Sequence, residues 1–197
     1  MKLPEIIGVA GTNGSGKDTL AIVRSQLQGC LHVTVSDILR QHLISEGVPL
    51  ERKNLSDLSR HWRDESGDHG ILVTKTIGRY MGEKALMGYN GLSVVSLRHP
   101  EEARRVQERE GIVLWVDADP YKRYLRISEA QRGRIDDNKT YHEFLVEEER
   151  DMNPGDSADP ACVNMGAVRD IADLVVVNNY ETQNEYIEQL VKRFELS

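Results

Sequence analysis

The segment GVAGTNGSGKDTLA, residues 8–21, places four glycines and one lysine directly after a short apolar run. Gly11, Gly16 and Lys17 fit the first seven positions of the phosphate-binding loop pattern G-x-x-x-x-G-K, between a predicted strand and a predicted helix. Glycines let the backbone curl so that its N–H groups converge on phosphate oxygens, and the helix adds the positive end of its dipole. The lysine of this pattern reaches the β- and γ-phosphates. The segment predicts a nucleoside triphosphate site made by Gly11, Thr12, Asn13, Gly14, Ser15, Gly16, Lys17, Asp18 and Thr19.

An aspartate, Asp18, follows the lysine where the pattern normally has a hydroxyl that ligates Mg²⁺. The hydroxyl comes one residue later, at Thr19, so Thr19 is the candidate metal ligand. Asp18 has two open uses: it could approach Mg²⁺ through a water, or it could favour the helix as an acidic residue in the first turn. GKDT resembles the nucleoside monophosphate kinases, because adenylate kinases read GKGT here and phage deoxynucleoside monophosphate kinases read similarly. The resemblance implies ATP as the phosphate donor, accompanied by Mg²⁺.

Two arginines follow predicted strands and are candidates for holding an acceptor. The segment HVTVSDILR, residues 32–40, resembles the second strand and next helix of adenylate kinases, HISTGDMLR. That resemblance implies that Arg40 contacts the acceptor phosphate and that Asp37 begins the helix facing it; Asp37 is also expected to be the N-cap. Arg98 in SLRHP ends the third strand, where ligands of open α/β sheets gather, and the kinases place an arginine in an equivalent loop. Arg63 is a further candidate acceptor contact. Arg40 could also be a plain surface residue.

A dense group of cations lies between residues 122 and 134 of an otherwise acidic chain: Lys122, Arg123, Arg126, Arg132 and Arg134. It is similar to the start of the lid in adenylate kinases, which reads DRIxxRR. The resemblance implies that Arg126 lies against the base or phosphates of ATP, while Arg132 and Arg134 close over the transferring group. Positioned cations supply most of the catalysis in phosphoryl transfer. Lys122 and Arg123 are expected to lie on a solvated helix face.

Three weaker patterns concern the ends of later strands and the lid. ADLVVVNN, residues 172–179, resembles the fifth strand and base-contacting loop of dephospho-coenzyme A kinases, which implies that Asn178 contacts ATP; a simple turn is the alternative. Asp117 and Asp119 are expected to form a turn before Pro120 rather than to bind a metal. The charge run at 147–150 is expected to be solvated.

Five short apolar runs rich in β-branched residues alternate with helix-like segments, which predicts parallel strands covered on both faces. The predicted strands are 6–10, 31–35, 92–97, 112–116 and 174–177. The predicted helices are 16–27, 37–45, 51–65, 74–87, 100–109, 120–131 and 181–194. The kinase resemblance, which covers residues 5–40, 92–134 and 172–195, implies a three-layer α/β P-loop NTPase fold with strand order 2-3-1-4-5.

The organisation along the chain predicts one domain with two insertions. The core comprises residues 1–36, 91–132 and 166–197. Residues 37–90 are expected to form a helical flap that binds the acceptor, because they hold helical patterns and no convincing strand. Residues 133–165 are polar, include the loop-like NPGDSADP, and are expected to form a lid.

Composition limits the possible partners and location. The net charge of −7 argues against general nucleic-acid binding, which needs a positive surface. No stretch approaches the roughly 20 apolar residues of a membrane span, and the first apolar run is too short for a signal peptide. Two cysteines, Cys30 and Cys162, give no disulfide framework and are expected to be reduced in the cytoplasm. Monomer and homodimer stay equally open.

Together these features predict an ATP-dependent kinase that transfers the γ-phosphate to a nucleoside or deoxynucleoside monophosphate. Three alternatives remain. A kinase similar to dephospho-coenzyme A kinase would phosphorylate a hydroxyl, with Asp37 as a possible base. An ATP-binding regulatory module would hydrolyse ATP slowly. A nucleic-acid end kinase fits the charge of −7 poorly.

Overall fold

The central feature of the computed structural model, which describes residues 1–129, 139–155 and 163–196, is a parallel sheet of five strands. Its order is β2-β3-β1-β4-β5, with every neighbouring pair parallel, as the sequence predicted. The strands are β1 (Ile6–Gly11), β2 (Leu31–Thr34), β3 (Leu92–Val95), β4 (Ile112–Asp117) and β5 (Leu174–Val177). Because the strands are parallel, the loops that follow β1 and β3 emerge at the same edge of the sheet.

Helices cover both faces of the sheet, which explains the unbroken apolarity of the central strands. Every residue of β1 and β3 is buried. On one face Trp115 and Tyr80 belong to one apolar cluster, and on the other Val9, Leu20 and Phe194 belong to a second. The helices around the sheet are α1 (Lys17–Gln28), α5 (Pro100–Gln107), α6 (Pro120–Glu129), α8 (Met165–Asp170) and α9 (Gln183–Phe194).

Residues 37–90, all within the described part of the chain, form three helices and no strand, as predicted. These are α2 (Asp37–Ser45), α3 (Arg52–Ser66) and α4 (Ile71–Met87). Helix α4 begins three residues before the predicted position. The turn ahead of it is ordered by the Asp68 carboxylate, which accepts the N–H of Gly70 at 2.8 Å. Aspartate bonded to backbone two residues later is a common turn device, so the polar turn is shorter than composition indicated.

A further helix, α7 (Tyr141–Met152), lies in the segment expected to form a lid. It begins with a capping box, in which the Thr140 hydroxyl accepts the N–H of Glu143 and the Glu143 carboxylate accepts the N–H of Thr140. The Thr-x-x-Glu spacing that begins α7 is a signal for a helix start that the sequence carries at residues 140–143. The structure describes none of residues 130–138 and 156–162, so Arg132, Arg134 and Cys162 lie outside it.

Cys30 is buried as a thiol, and burial raises its pKa. Among the described residues, no helix is both long and apolar enough to cross a membrane.

Arg24 of α1 joins the beginnings of two strands from a buried position. It is 2% exposed and donates to the carbonyl oxygens of Glu5 at 3.1 Å and Leu92 at 3.0 Å, as well as to that of Pro4. Burial lowers the pKa of its guanidinium, and the hydrogen bonds to the surrounding carbonyls replace those that the guanidinium would make to water. Arg24 therefore attaches α1 to the amino ends of β1 and β3.

We expect Arg24→Met to lower the free energy of unfolding by about 3 kcal/mol, because it removes the hydrogen bonds from a buried guanidinium to the carbonyls of Pro4, Glu5 and Leu92. Urea denaturation followed by circular dichroism measures this. The control is Arg109→Met, the same change at an exposed arginine. Equal stabilities for the two variants would contradict the role of Arg24.

Candidate functional site

The loop between β1 and α1 has the backbone path that its glycines predicted. Gly14 and Gly16 have φ angles of 76° and 85°, in the region that favours glycine. A Cβ at Gly14 would lie 2.5 Å from the carbonyl oxygen of Arg123, and one at Gly16 would lie 2.4 Å from Nδ2 of Asn178. A side chain at either position would collide with the residues packed behind the loop, so both positions require glycine. The opposite side of the loop, its front, is the side that a ligand could occupy.

The polar groups at the front of the loop suit a phosphate chain. Lys17 opens α1 and its ammonium lies 3.5 Å from the carbonyl oxygen of Thr12. The buried hydroxyls of Thr12 and Ser15 have no hydrogen-bond partner among the described residues. Such buried orphan groups usually require a partner, and phosphate oxygens supply one. A triphosphate therefore fits this loop.

The residues predicted for Mg²⁺ lie in the first turn of α1, where Asp18 is exposed and Thr19 is half-buried. Many P-loop proteins carry an aspartate or glutamate at the end of the strand that corresponds to β3, where it helps to bind the metal. In this chain β3 is followed by Ser96, so that position has no carboxylate. Within the described ranges, no group of three or more His, Cys, Asp or Glu side chains could hold a metal ion. Binding of Mg²⁺ by Thr19, and by Asp18 through a water, therefore stays a prediction.

Side chains from behind the loop satisfy its carbonyl oxygens. Asn178 donates from Nδ2 to the Ser15 carbonyl at 2.8 Å. Arg126 donates to the carbonyls of Gly14 at 3.3 Å and of Asn178 at 3.0 Å, and burial lowers the pKa of its guanidinium. The sequence predicted that Asn178 and Arg126 contact ATP. In the structure their polar groups hold the loop itself, and ATP contact by either remains a prediction.

Arg123 contradicts the expectation of a solvated face. It is 2% exposed and donates to the carbonyl oxygens of Ala118 at 2.9 Å and Asn13 at 3.4 Å. Both of its terminal nitrogens bond the Glu148 carboxylate of α7, one of them at 2.7 Å. The guanidinium also lies 5.4 Å from the ring centre of Phe144. Glu148, expected to be solvated, is instead the partner that docks α7 onto the loop.

Aromatic packing reinforces this docking of α7. Tyr124 of α6 lies 5.3 Å from Tyr141 and 6.0 Å from Phe144, measured between ring centres. Such spacings are typical of favourable aromatic pairs. The sequence offered no periodic signal that joins α6 to α7, because the segment between them lacks a recognisable element.

The loop after β3 presents Arg98 on the same side of the sheet. Arg98 is exposed, and its guanidinium has no ion-pair or hydrogen-bond partner in the described ranges. Its backbone is held at both groups: the N–H donates to Glu102 at 2.8 Å, and the carbonyl accepts the N–H of Asn164 at 2.9 Å. A fixed backbone with an unpaired cation is suited to binding an anion.

The other predicted acceptor residues have partners within the protein. Arg40 donates to Ser36 at 2.7 Å and to Asp37 at 2.8 Å, while 43% of its side chain stays exposed. Asp37 is not the N-cap, because Ser36 occupies that position and the Asp37 carboxylate accepts the N–H of Thr34 instead. Arg63 is largely buried and paired with Glu102 at 3.0 Å.

The predicted roles of Asp117 and Asp119 in the turn are confirmed. Asp117 accepts the N–H of Ala118 at 2.9 Å, and Asp119 accepts the N–H groups of Tyr121 and Lys122 at the start of α6. These bonds use the carboxylates locally, in a turn that begins a helix.

A cleft of about 520 Å³, open solvent included, lies between these parts. Its walls come from the glycine loop with Lys17, from the loop after β3 with Arg98, and from α7 with Glu147 and Asp151. Of the predicted site residues, Gly11, Thr12, Asn13, Lys17 and Arg98 line this cleft. Arg40 and Arg63 do not line it, and the cleft also has an acidic wall that sequence reasoning missed.

Comparison with solved structures shows the same fold in kinases of small molecules. Shikimate kinase from Acinetobacter baumannii, in complex with shikimate, superposes with a TM-score of 0.58 at 12% identity, covering 98% of this chain and 96% of that one. Shikimate kinase from Bacteroides thetaiotaomicron gives 0.56 at 14% identity, covering 96% and 95%. At such identities the likeness shows the α/β fold alone.

Comparison with curated sequences gives the family. No family model matches the chain. A UPF0200 protein of Pyrococcus horikoshii is 29% identical over 192 residues, covering 95% of this chain and 94% of that protein. A UPF0200 protein of Pyrococcus abyssi is 30% identical over 177 residues, covering 88% and 87%. The chain therefore shares its fold with shikimate kinases, and it belongs to the UPF0200 family.

Proposed function

We propose that the chain is an ATP-dependent kinase that transfers the γ-phosphate to a small anionic acceptor, and that a nucleoside or deoxynucleoside monophosphate is the acceptor class. The observation that carries this proposal is one cleft lined by both Lys17 and the unpaired Arg98. Two cations from separate loops suit a reaction between two phosphorylated molecules, because each anion needs its own positive partner. The likeness of the fold to small-molecule kinases supports the reaction class.

In this proposal the glycine loop holds the donor. Its N–H groups and Lys17 bind the β- and γ-phosphates, and the hydroxyl of Thr12 gains the partner that it lacks in the protein. Thr19, and Asp18 through a water, would hold Mg²⁺, which when bound neutralises phosphate charge. Arg126, Arg132 and Arg134 are proposed to stabilise charge that develops on the transferring group.

Arg98 orients the acceptor in this proposal, with Arg40 as a second contact after exchanging its bond to Asp37 for one to the ligand. A phosphate acceptor is already ionised near neutral pH, so the transfer needs no general base. Helix α7 excludes water from the cleft, which directs the phosphoryl group to the acceptor rather than to solvent. Asp37 and Arg63 support the acceptor side through Arg40 and Glu102, respectively.

We expect Lys17→Met to lower kcat/KM for transfer by about 1,000-fold or more, because the variant lacks the positive charge that stabilises the transferring phosphoryl group. A coupled assay of ADP release measures this, and Lys192→Met, at an exposed position on α9, is the control. Unchanged turnover in Lys17→Met would rule out the proposed donor site.

Arg98→Met is expected to raise KM for the acceptor by about 30-fold while leaving KM for ATP within about twofold, because only the acceptor loses a charge-assisted bond. Arg104→Met, which removes an exposed arginine of α5, serves as the control. An equal rise in both KM values would place Arg98 on the donor instead.

A second candidate function, phosphorylation of a hydroxyl, is favoured by the acidic wall of the cleft. Glu147 and Asp151 of α7 lie beside Lys17 and Arg98 in the lining. A hydroxyl acceptor requires a carboxylate to take its proton. Asp37, the base considered from the sequence, does not line the cleft, whereas Asp151 does, so Asp151 is the candidate base for this second function.

The two acceptor classes predict opposite results for Asp151→Asn. With a hydroxyl acceptor, kcat falls by about 100-fold, and the loss of wild-type activity as the pH drops through the pKa of the base disappears from the profile. With a phosphate acceptor, kcat stays within about twofold. Glu147→Gln on the same wall is the comparison.

The acceptor is identified by a screen of individual nucleoside monophosphates, deoxynucleoside monophosphates and dephospho-coenzyme A, with ADP release as the readout. A phosphorylated small-molecule product supports the kinase. ATP hydrolysis that is independent of every acceptor and rises with a protein partner would contradict it, and would favour an ATP-binding regulatory module.

A further inference from the structure

The carboxylate of Glu102 is the point at which three parts of the fold meet beside the proposed acceptor site. Glu102 belongs to the first turn of α5 and is 1% exposed. One oxygen accepts the N–H groups of Arg98 at 2.8 Å and His99 at 3.3 Å, and the other accepts Arg63 of α3 at 3.0 Å. A buried carboxylate with charged and backbone donors on both oxygens is fully satisfied.

Helix capping explains only part of this arrangement. Glu102 and His99 form a capping box at the start of α5, which accounts for the bond to the His99 N–H. Capping does not require the bond to the Arg98 N–H, nor the pairing with an arginine from a helix 39 residues earlier. Burial raises the pKa of the Glu102 carboxyl, while the N–H of Arg98 and the charge of Arg63 act in the opposite direction. Arg63 is thus the cation that opposes the cost of this buried charge.

Hydrogen bonds fix the backbone of the loop between β3 and α5 from the end of the strand to Arg98. Ser96 has a φ of 67°, unusual for a residue with a side chain, and its N–H donates to the Val9 carbonyl at 2.9 Å. Asn164, at the start of α8, holds the Arg98 carbonyl. Strained and over-determined backbone of this kind is common at sites that require exact placement.

We propose that Glu102 is a positioning residue that places Arg98 at the cleft and couples it to the α2–α4 flap through Arg63; this rests on the proposed kinase function. Arg63 was expected to touch the acceptor. Instead its guanidinium is directed to Ser59, to the His69 carbonyl and to Glu102. Any shift of α3 that accompanies acceptor binding is therefore transmitted to the backbone of Arg98.

A second ion pair between the same regions provides a matched control. Arg105 of α5 pairs with Asp68 in the turn between α3 and α4 at 3.1 Å, and among the described residues it forms no hydrogen bond or ion pair with Arg98 or Glu102. Removing Arg105 weakens the same contact between flap and α5 without touching the proposed coupling. A purely structural role for Arg63 predicts that the two arginines behave alike.

The experiment compares Arg63→Met, Arg63→Lys and Arg105→Met in the full chain with the acceptor found in the screen. We expect Arg63→Met to raise KM for the acceptor by about tenfold with KM for ATP unchanged, since small displacements of a binding group are costly. Arg63→Lys should recover part of the loss, and Arg105→Met should leave both KM values within about twofold. Equal acceptor KM values for Arg63→Met and Arg105→Met would overturn the proposal.

A measurement without substrate separates this proposal from the kinase function. Hydrogen exchange of the Arg98 amide should accelerate by about tenfold or more in Glu102→Met, which has no carboxylate oxygen to accept that N–H, and should stay unchanged in Arg105→Met. Unchanged exchange in a folded Glu102→Met overturns the positioning role. If the wild type phosphorylates no acceptor, the kinase function fails and so does the catalytic meaning of the coupling, while the exchange result still decides whether Glu102 holds Arg98.

Discussion

The need to satisfy the carbonyl groups of the glycine loop shapes the rest of the site. A loop whose N–H groups converge toward a phosphate must direct carbonyls away from it, and buried carbonyls require donors. The donors come from two other parts of the chain: Arg123 and Arg126 of α6 serve Asn13 and Gly14, and Asn178 after β5 serves Ser15. The loop is therefore shaped before any ligand binds, which reduces the ordering cost of binding.

This support also determines where α7 lies. Arg123 satisfies the Asn13 carbonyl and still has donors left, which the Glu148 carboxylate accepts in a pair that is almost fully buried. Breaking a buried pair leaves an uncompensated charge, so α7 stays attached to the back of the loop. As a result α7 presents its other acidic residues, Glu147 and Asp151, to the cleft. Arg123 therefore contributes both to the support of the loop and to the position of the acidic wall.

The two cations of the cleft differ in the way they are held. Lys17 is placed by α1 itself, as its first residue. Arg98 is placed by backbone bonds to Glu102, four residues later in α5, and to Asn164, the N-cap of α8, which is distant in sequence. Arg40, the third predicted cation, is held locally by Ser36 and Asp37 within its own helix turn. Lys17 and Arg40 are thus placed by local structure, whereas Arg98 also depends on a tertiary contact.

The sequence by itself determined the glycine loop, the five parallel strands and the place of Arg98 after β3. Those features depend on local backbone chemistry and on hydrophobic patterns, which are written in consecutive residues. Only the tertiary structure decided the partners of charged side chains. Arg123 was expected to be solvated and is buried against Glu148, and Asp37 was expected to cap α2 but instead bonds Thr34 and Arg40. Arg63 was assigned to the acceptor and pairs with Glu102. The reason is physical. A long charged side chain pairs with whichever group the fold brings within about 3 Å, and the spacing of residues along the sequence does not show which groups those are.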